Sequence, residues 1–335
     1  MINPTRPALL LALALPLAAT AQSFVFKDWA VACDNTRHCE AVGYQAENSD
    51  GEAVAMQLAR DAGPNTPVNV MLRLAVGDKD STALVSLKAG WLDWTGIRPD
   101  QVLGVSQSRQ LLPAMLKADA VLLSDGKTHW KLSLAGLNAA LLKMDDLQGR
   151  IGTPEALVRK GSKPETGVLP PLPAPKVRLA SLPAASSDNG LLKPILQAVK
   201  ERGCFNDMPD QEHPETSIAR VSGTQVLVMR ECSRGAYQGS SALWLANSKP
   251  PYVPKAVLLP TPSGKPTDSI MNAGFDKGRL SSYAKGRGIG DCGDSMEWGW
   301  TGTQFQLISA SEAPLCRGLL QGGFALRLWQ AEVSR

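Results

Sequence analysis

Long apolar runs are missing from this 335-residue chain once its opening stretch is past. No later segment approaches the ~18 uninterrupted apolar residues that a membrane-crossing helix requires. Aromatic residues make up only 5% of the chain, and there are three histidines, His38, His129 and His213, scattered far apart. There is no G-x-S-x-G elbow to present a nucleophilic serine. There is no C-x-x-C knuckle to hold zinc. A large surplus of one charge is absent too: 35 basic against 31 acidic side chains leave a net +4, without the basic stripe that a nucleic-acid partner demands. Disorder is excluded by the opposite measure, because 44% hydrophobic residues are enough to build a core.

Residues 1–21 carry the features of a secretory signal peptide. Arg6 precedes an apolar run from Ala8 to Ala19, and Ala19-Thr20-Ala21 supplies small-x-small cleavage spacing. The first cysteine is Cys33, so no lipid attachment point follows the cleavage site. The expected location is the periplasm, or the medium, after cleavage near Ala21. Six cysteines agree with an oxidising compartment: Cys33, Cys39, Cys204, Cys232, Cys292 and Cys316. They allow about 15 pairings, of which the spacing favours the sequential set, with metal binding as the competing reading.

Residues 159–190 hold six prolines and a serine-rich end, a composition that favours an extended, solvated spacer. This linker divides a β-rich domain with two helices, 22–158, from a second β-rich domain opening on a helix, 191–335. The charges divide with it: the first domain is net −3, residues 159–200 net +5 and residues 201–335 net +1. In the first domain, Trp29–Cys33 and Glu40–Tyr44 flank the polar turn Asp34–His38 and predict a disulfide-pinned hairpin. Further strands are expected at Ala53–Arg60, Val68–Ala75, Thr82–Leu87, Val102–Val105, Val121–Leu123 and Thr128–Leu132. Helices are expected at Ser108–Ala118, limited to about a turn by Pro113, and at Leu134–Leu147, ending at Gly149. The second domain reads as a helix, Leu191–Glu201, followed by seven strands with glycine-rich connections. The fold class is mainly β with a few helices (α+β): two disulfide-braced, sandwich-like domains joined by a proline-rich linker.

Four ordered motifs resemble one family of exported bacterial proteins, the domain of unknown function 1176 family. They are DWAVACDNTRHCEAVGY (Asp28–Tyr44), LSLAGLNAALLKMDDLQGRIGTPEALV (Leu132–Val158), GRGIGDCGD (Gly286–Asp294) and WGWTGTQFQLISASEAPLCRG (Trp298–Gly318). The resemblance implies an envelope location and no assigned reaction. The first domain is also similar, more distantly, to the invasion-associated locus B family, through D-W-x-V-x-C with a nearby second cysteine and L-S-L-x-G before an Ala-Leu helix. Members of that family typically carry further cysteines before the helix, and this chain has none between Cys39 and Cys204. That similarity implies a fold and no site.

The richest stretch for chemistry lies near the end of the second domain. Gly288-Ile-Gly290-Asp-Cys-Gly293 matches G-x-G-x-x-G, but strands flank it and a cysteine sits inside it, so a braced turn is expected rather than a dinucleotide loop. Arg287, Asp291, Asp294 and Glu297 crowd the same stretch, and two such carboxylates ~5–9.5 Å apart would form a glycosidase acid–base pair. Trp298 and Trp300, two positions apart on a strand, share a face and would either stack on a ligand or fill the core. No cofactor is implied. The expected function is a non-catalytic binding module for an envelope protein or glycan partner, and one form of it is a modulator that plugs a cell-wall hydrolase with the Gly286–Asp294 loop. The alternative is an envelope hydrolase working through Asp291, Asp294 or Glu297.

Overall fold

The computed structural model describes residues 22–184, 187–200, 204, 214–319 and 322–335. The signal peptide expected at 1–21, His213 and the end of the helix expected at Leu191–Glu201 lie outside the described residues. The chain is mainly β with a few helices, held by disulfides Cys33–Cys39, Cys204–Cys232 and Cys292–Cys316, the sequential set.

The first sheet is an antiparallel meander of β1 (Ser23–Phe26), β2 (Trp29–Cys33), β3 (Cys39–Tyr44), β4 (Val54–Arg60), β5 (Val68–Val76) and β6 (Lys79–Asp80). Asp34 shapes the β2–β3 turn: its Oδ1 accepts from the Thr36 amide at 2.7 Å and the His38 amide at 3.1 Å. Trp29 and Gly43 are direct cross-strand partners, and the indole lies so close over Gly43 that any Cβ there would strike it. A second sheet comprises β7 (Val85–Ala89), β8 (Leu92–Ile97), β9 (Ala120–Ser124) and β10 (His129–Ser133), in the order β10-β9-β7-β8.

Helix α1 (Val105–Met115) starts earlier than expected and continues through Pro113, whose side lies in solvent; of the strand expected at Val102–Val105, residues 102–104 are the loop leading into the helix and Val105 is its first residue. Helix α2 (Leu137–Leu147) buries Leu137, Ala140, Leu141 and Met144 along one stripe. Gly149, at φ +71°, supplies the left-handed residue just beyond its end. These helices and the second sheet cover one face of the meander around Trp29, Val31, Met56, Leu72 and Leu141.

The rest of the chain forms β11 (Lys176–Arg178), α3 (Leu192–Ala198), β12 (Thr216–Arg220), β13 (Gln225–Arg234), β14 (Gly239–Asn247), β15 (Lys255–Ala256), β16 (Ser269–Met271), β17 (Gly274–Asp276), β18 (Arg279–Lys285), β19 (Gly293–Trp300), β20 (Phe305–Ala313), β21 (Leu326–Gln330) and β22 (Glu332–Ser334). Strands β12–β16 make one sheet, on whose outer side α3 packs through Ile195 against Val226 and Val228. Strands β17–β21 make another. Both contribute to a core with Leu227, Leu243, Trp298, Trp300 and Leu326, and the same core takes in Ala30, Ala32, Val42, Tyr44 and Ala55 from the other face of the first meander.

Polar ties reinforce that junction. Arg327 Nε donates to Asp34 Oδ2 at 2.5 Å, Arg317 Nη2 to Asp28 Oδ1 at 3.1 Å, and the Tyr44 hydroxyl to the Gly322 carbonyl at 2.9 Å. Asn35 and Gln330 exchange amide and backbone bonds at 3.0 and 2.8 Å.

The proline-rich stretch is largely exposed, as its composition predicts, but it is a strap tied to the body at several points and not a free spacer. Leu169 accepts from the Gly63 amide and donates to Gln148 O, and Leu172 donates to Thr36 O. Farther on, β11 pairs in parallel with β22, and Val177 and Leu179 are buried against Ile308. Proline removes donors but leaves every carbonyl, so a strap can be held by the amides between its prolines.

Two expectations follow. Replacing both cysteines of Cys204–Cys232 or of Cys292–Cys316 by alanine should cost ~2–4 kcal/mol in urea unfolding, and the six-residue Cys33–Cys39 separation should cost less. The second concerns His38. Burial disfavours its charge, but Glu40 at 3.5 Å and Asp61 at 2.6 Å outweigh burial and raise its pKa above 6.5. A raised pKa places the stabilisation below 6.5 and removes it as pH climbs through the raised value. The advantage of the native chain over His38→Gln should therefore shrink from about pH 5 to about pH 8 in chemical unfolding.

Candidate binding site

The stretch that concentrates charge in the sequence is the connection between β18 and β19, an antiparallel pair. Residues 286–292 form a protruding loop, and both of its charged side chains are used to hold its shape. The Gly286 amide donates to Cys292 O at 2.9 Å, and the Tyr283 hydroxyl donates to Gly290 O at 3.0 Å. Arg287 grips Asp291 through two N–H groups, at 2.6 and 2.5 Å, and the Gly318 amide donates to the same carboxylate at 2.6 Å. Burial opposes ionisation of Asp291, which is 1% exposed, but these donors prevail and hold its pKa below the ordinary aspartate value. Cys292–Cys316 then fastens the loop to the chain after β20.

A second loop completes the protrusion. Gln238, in the turn between β13 and β14, accepts from the Lys285 amide at 2.8 Å and donates to the Lys285 carbonyl at 3.1 Å. Beside it the Tyr237 ring lies against Gly288, where a Cβ would come within 2.8 Å of the ring. The resulting tip displays Tyr237, 70% exposed, and Ile289, 62% exposed. Neither residue stands out in the sequence as a ligand contact, and no local pattern connects positions 237 and 289.

The expected site residues divide among different tasks. Asp294 and Glu297 stand three positions apart in a regular stretch of β19, an odd separation that sends their side chains to opposite faces. They do not form an acid–base pair. Asp294 lies opposite Glu312, and burial, followed by that carboxylate, raises its pKa. Glu297 instead meets Arg279 at 2.9 Å. Trp298 and Trp300 are fully buried, their indole N–H groups donating to Pro260 O at 2.7 Å and Val221 O at 3.0 Å. They fill the core and offer no stacking surface. Among the described residues, Asp291, Cys292 and Cys316 form a cluster of metal-ligating types, but the two sulfurs are bonded to each other and provide no thiolate.

Beside the base of the protrusion, a groove of about 510 Å³ runs over the outer face of the β18–β20 strands. Ser281, Ser295, Ser309 and Ser311 contribute to its lining, and Ser281 pairs with Glu297, Glu297 with Ser309 and Ser295 with Ser311 across the ladder. Tyr283 lines the same groove, and Arg73 reaches in from β5 while bound to Asp80 and to the Gly323 carbonyl. Serine at alternate strand positions is the sequence trace of this face.

The model of the family described as "Protein of unknown function (DUF1176)" matches residues 23–331. The chain belongs to that family. A curated relative from Escherichia coli (strain K12), the uncharacterized protein YpfG, is 30% identical over 342 residues, covering 92% of this chain and 92% of its own. Among solved structures, the invasion associated protein b from Bartonella henselae aligns with 38% of this chain and 99% of its own, at 17% identity and a TM-score of 0.28. The family carries no assigned reaction.

The two aspartates of this region should behave in opposite ways. Asp291→Asn removes the charge that organises the loop and should cost about 1–3 kcal/mol. Asp294→Asn relieves a like-charge cross-strand pair and should gain about 0.2–1 kcal/mol at neutral pH. Urea unfolding of the two variants at pH 7 checks both signs.

Proposed function

We propose that this protein is an exported, non-catalytic binding module of the cell envelope, periplasmic or secreted, which docks a protein partner through the Tyr237–Ile289 tip. The observation that carries the reading is a large exposed aromatic and an exposed aliphatic residue on two braced loops that meet where the Tyr237 ring lies against Gly288. Interfaces draw most of their energy from a few such anchors, with tyrosine prominent among them. Anchors that are ordered before binding lose little conformational entropy on docking. The disulfide, the Arg287–Asp291 pair and the Gln238 clamp supply that order in advance. A protruding, braced loop of this kind suits insertion into a cleft, which is the form a modulator of a cell-wall hydrolase would take.

A second reading, a glycan partner, is favoured by the serine-lined groove, whose hydroxyls and Glu297 carboxylate match a polyhydroxylated chain. The hydrolase alternative has less support, because Asp294 and Glu297 diverge and Asp291 is committed to Arg287 and Gly318.

A photo-crosslinking residue placed at 237 or 289 should give a discrete protein adduct in envelope-bearing cells, and one at exposed Leu258 should not. Tyr237→Ser and Ile289→Ser should leave stability within about 0.5 kcal/mol while weakening the complex by at least about 1 kcal/mol. Adducts absent at both positions, with glycan fragments instead shifting the Tyr283 and Ser295 signals by NMR, would transfer the site to the groove.

A further inference from the structure

On the far side of the first meander from the protrusion, a cavity of about 280 Å³ opens between α1 and the segment 155–160. Val68, Leu112, Leu116 and Leu157 give it apolar walls. Its charged lining is one-sided: Arg60, Arg109, Lys117 and Lys160 stand against the single acid Glu155. Arg60 is 2% exposed and fixed in place, donating to Thr66 O and Glu155 O at 3.0 Å each and lying 3.7 Å from the buried Asp145 carboxylate, so the net positive charge of the site comes from the rim cations. Arg109, Lys117 and Lys160 are exposed around it. Burial and the neighbouring Arg150 lower the Arg60 pKa, though only to about 10, so the guanidinium stays charged at neutral pH.

A further observation points to a ligand. Ser108, on the α1 face that lines this cavity, is 1% exposed, and its hydroxyl has no hydrogen-bond partner. A buried hydroxyl left unmatched is costly, and a valine-sized apolar residue or alanine would remove that cost. A donor with no acceptor, beside a fixed guanidinium and beneath a rim of cations, is suited to an anionic oxygen that enters from outside. The apolar walls set the rest of the molecule.

We infer that this cavity is a binding site for a small anionic amphiphile, a carboxylate on a hydrocarbon tail. The head would accept from the Ser108 hydroxyl within the field of the rim cations, and the tail would lie against Leu112, Leu116 and Leu157. The site is separate from the Tyr237–Ile289 tip and does not depend on the proposal made for it.

Calorimetric titration of the purified protein with decanoate, decan-1-ol and acetate tests the inference. Decanoate should bind saturably at one site, and the alcohol and acetate, which each lack half of the recognition, should bind about tenfold or more weakly. Ser108→Ala should melt no lower than the native chain and yet bind decanoate several-fold more weakly, a combination that a purely structural serine cannot produce. Lys117→Glu should weaken decanoate at low salt and leave decan-1-ol unchanged. Equal affinity for decanoate and decan-1-ol, no saturable decanoate binding, or native affinity in Ser108→Ala would each overturn the inference.

Discussion

Burial of the first meander on both faces is the constraint from which the architecture follows. Strands that alternate large and polar residues can face water on one side, whereas β2 reads Trp-Ala-Val-Ala-Cys and has neither face to spare. Its large side chains point to α1, α2 and the second sheet, and its alanines point to the tryptophan-filled core of the later strands. Small residues on that second face let the two layers approach closely, and Trp298 and Trp300 supply the bulk that the alanines lack. The buried ties from Arg317 to Asp28 and from Tyr44 to Gly322 lie along the same seam. A charge placed at Ala30 or Ala32 would enter an interior that offers it no partner, whichever half of the chain it was judged to serve.

The same seam explains how the protrusion is made. Asp291 belongs to the loop, but its carboxylate is completed by the Gly318 amide, and the following segment reaches the meander through Tyr44, Gln45 and Arg73. The tip is thus referenced to the whole body rather than to its own hairpin. Local contacts set the loop's curvature, and long-range contacts set its direction.

Local features were the legible part of the sequence. Cysteine spacing yields the disulfide set, whose loops close within 28 residues or fewer, the Asp34–His38 turn yields the first hairpin, and the apolar period of 137, 141 and 144 yields α2, because none depends on contacts between distant parts of the chain. The glycine-rich motif at 288–293 reads correctly as a braced turn for the same reason. Juxtapositions across the chain were not legible. Tyr237 against Gly288, Ser108 against a cavity wall from residue 157, and Asp34 against Arg327 are set by packing between elements with no shared period. Asp294 and Glu297 look like partners in a list of residues and are divided by strand alternation, because both lie in the regular part of β19. The strap misleads for a related reason: proline content reports missing donors and says nothing of carbonyls that a neighbouring strand can use.

The parallel pairing of β11 with β22 has an implication for the order in which the molecule can assemble. Lys176 waits for Glu332, roughly 150 residues later, and neither three-residue strand has another partner in its sheet. A pairing that spans so much chain comes late, because its loop-closure entropy must be met by contacts already formed between. The strap then settles late, a clasp that shuts over β19 and β20 only after they have found each other. Until it shuts, the Val177 and Leu179 side chains stand in water, and the face around Ile308 is open to any competing strand.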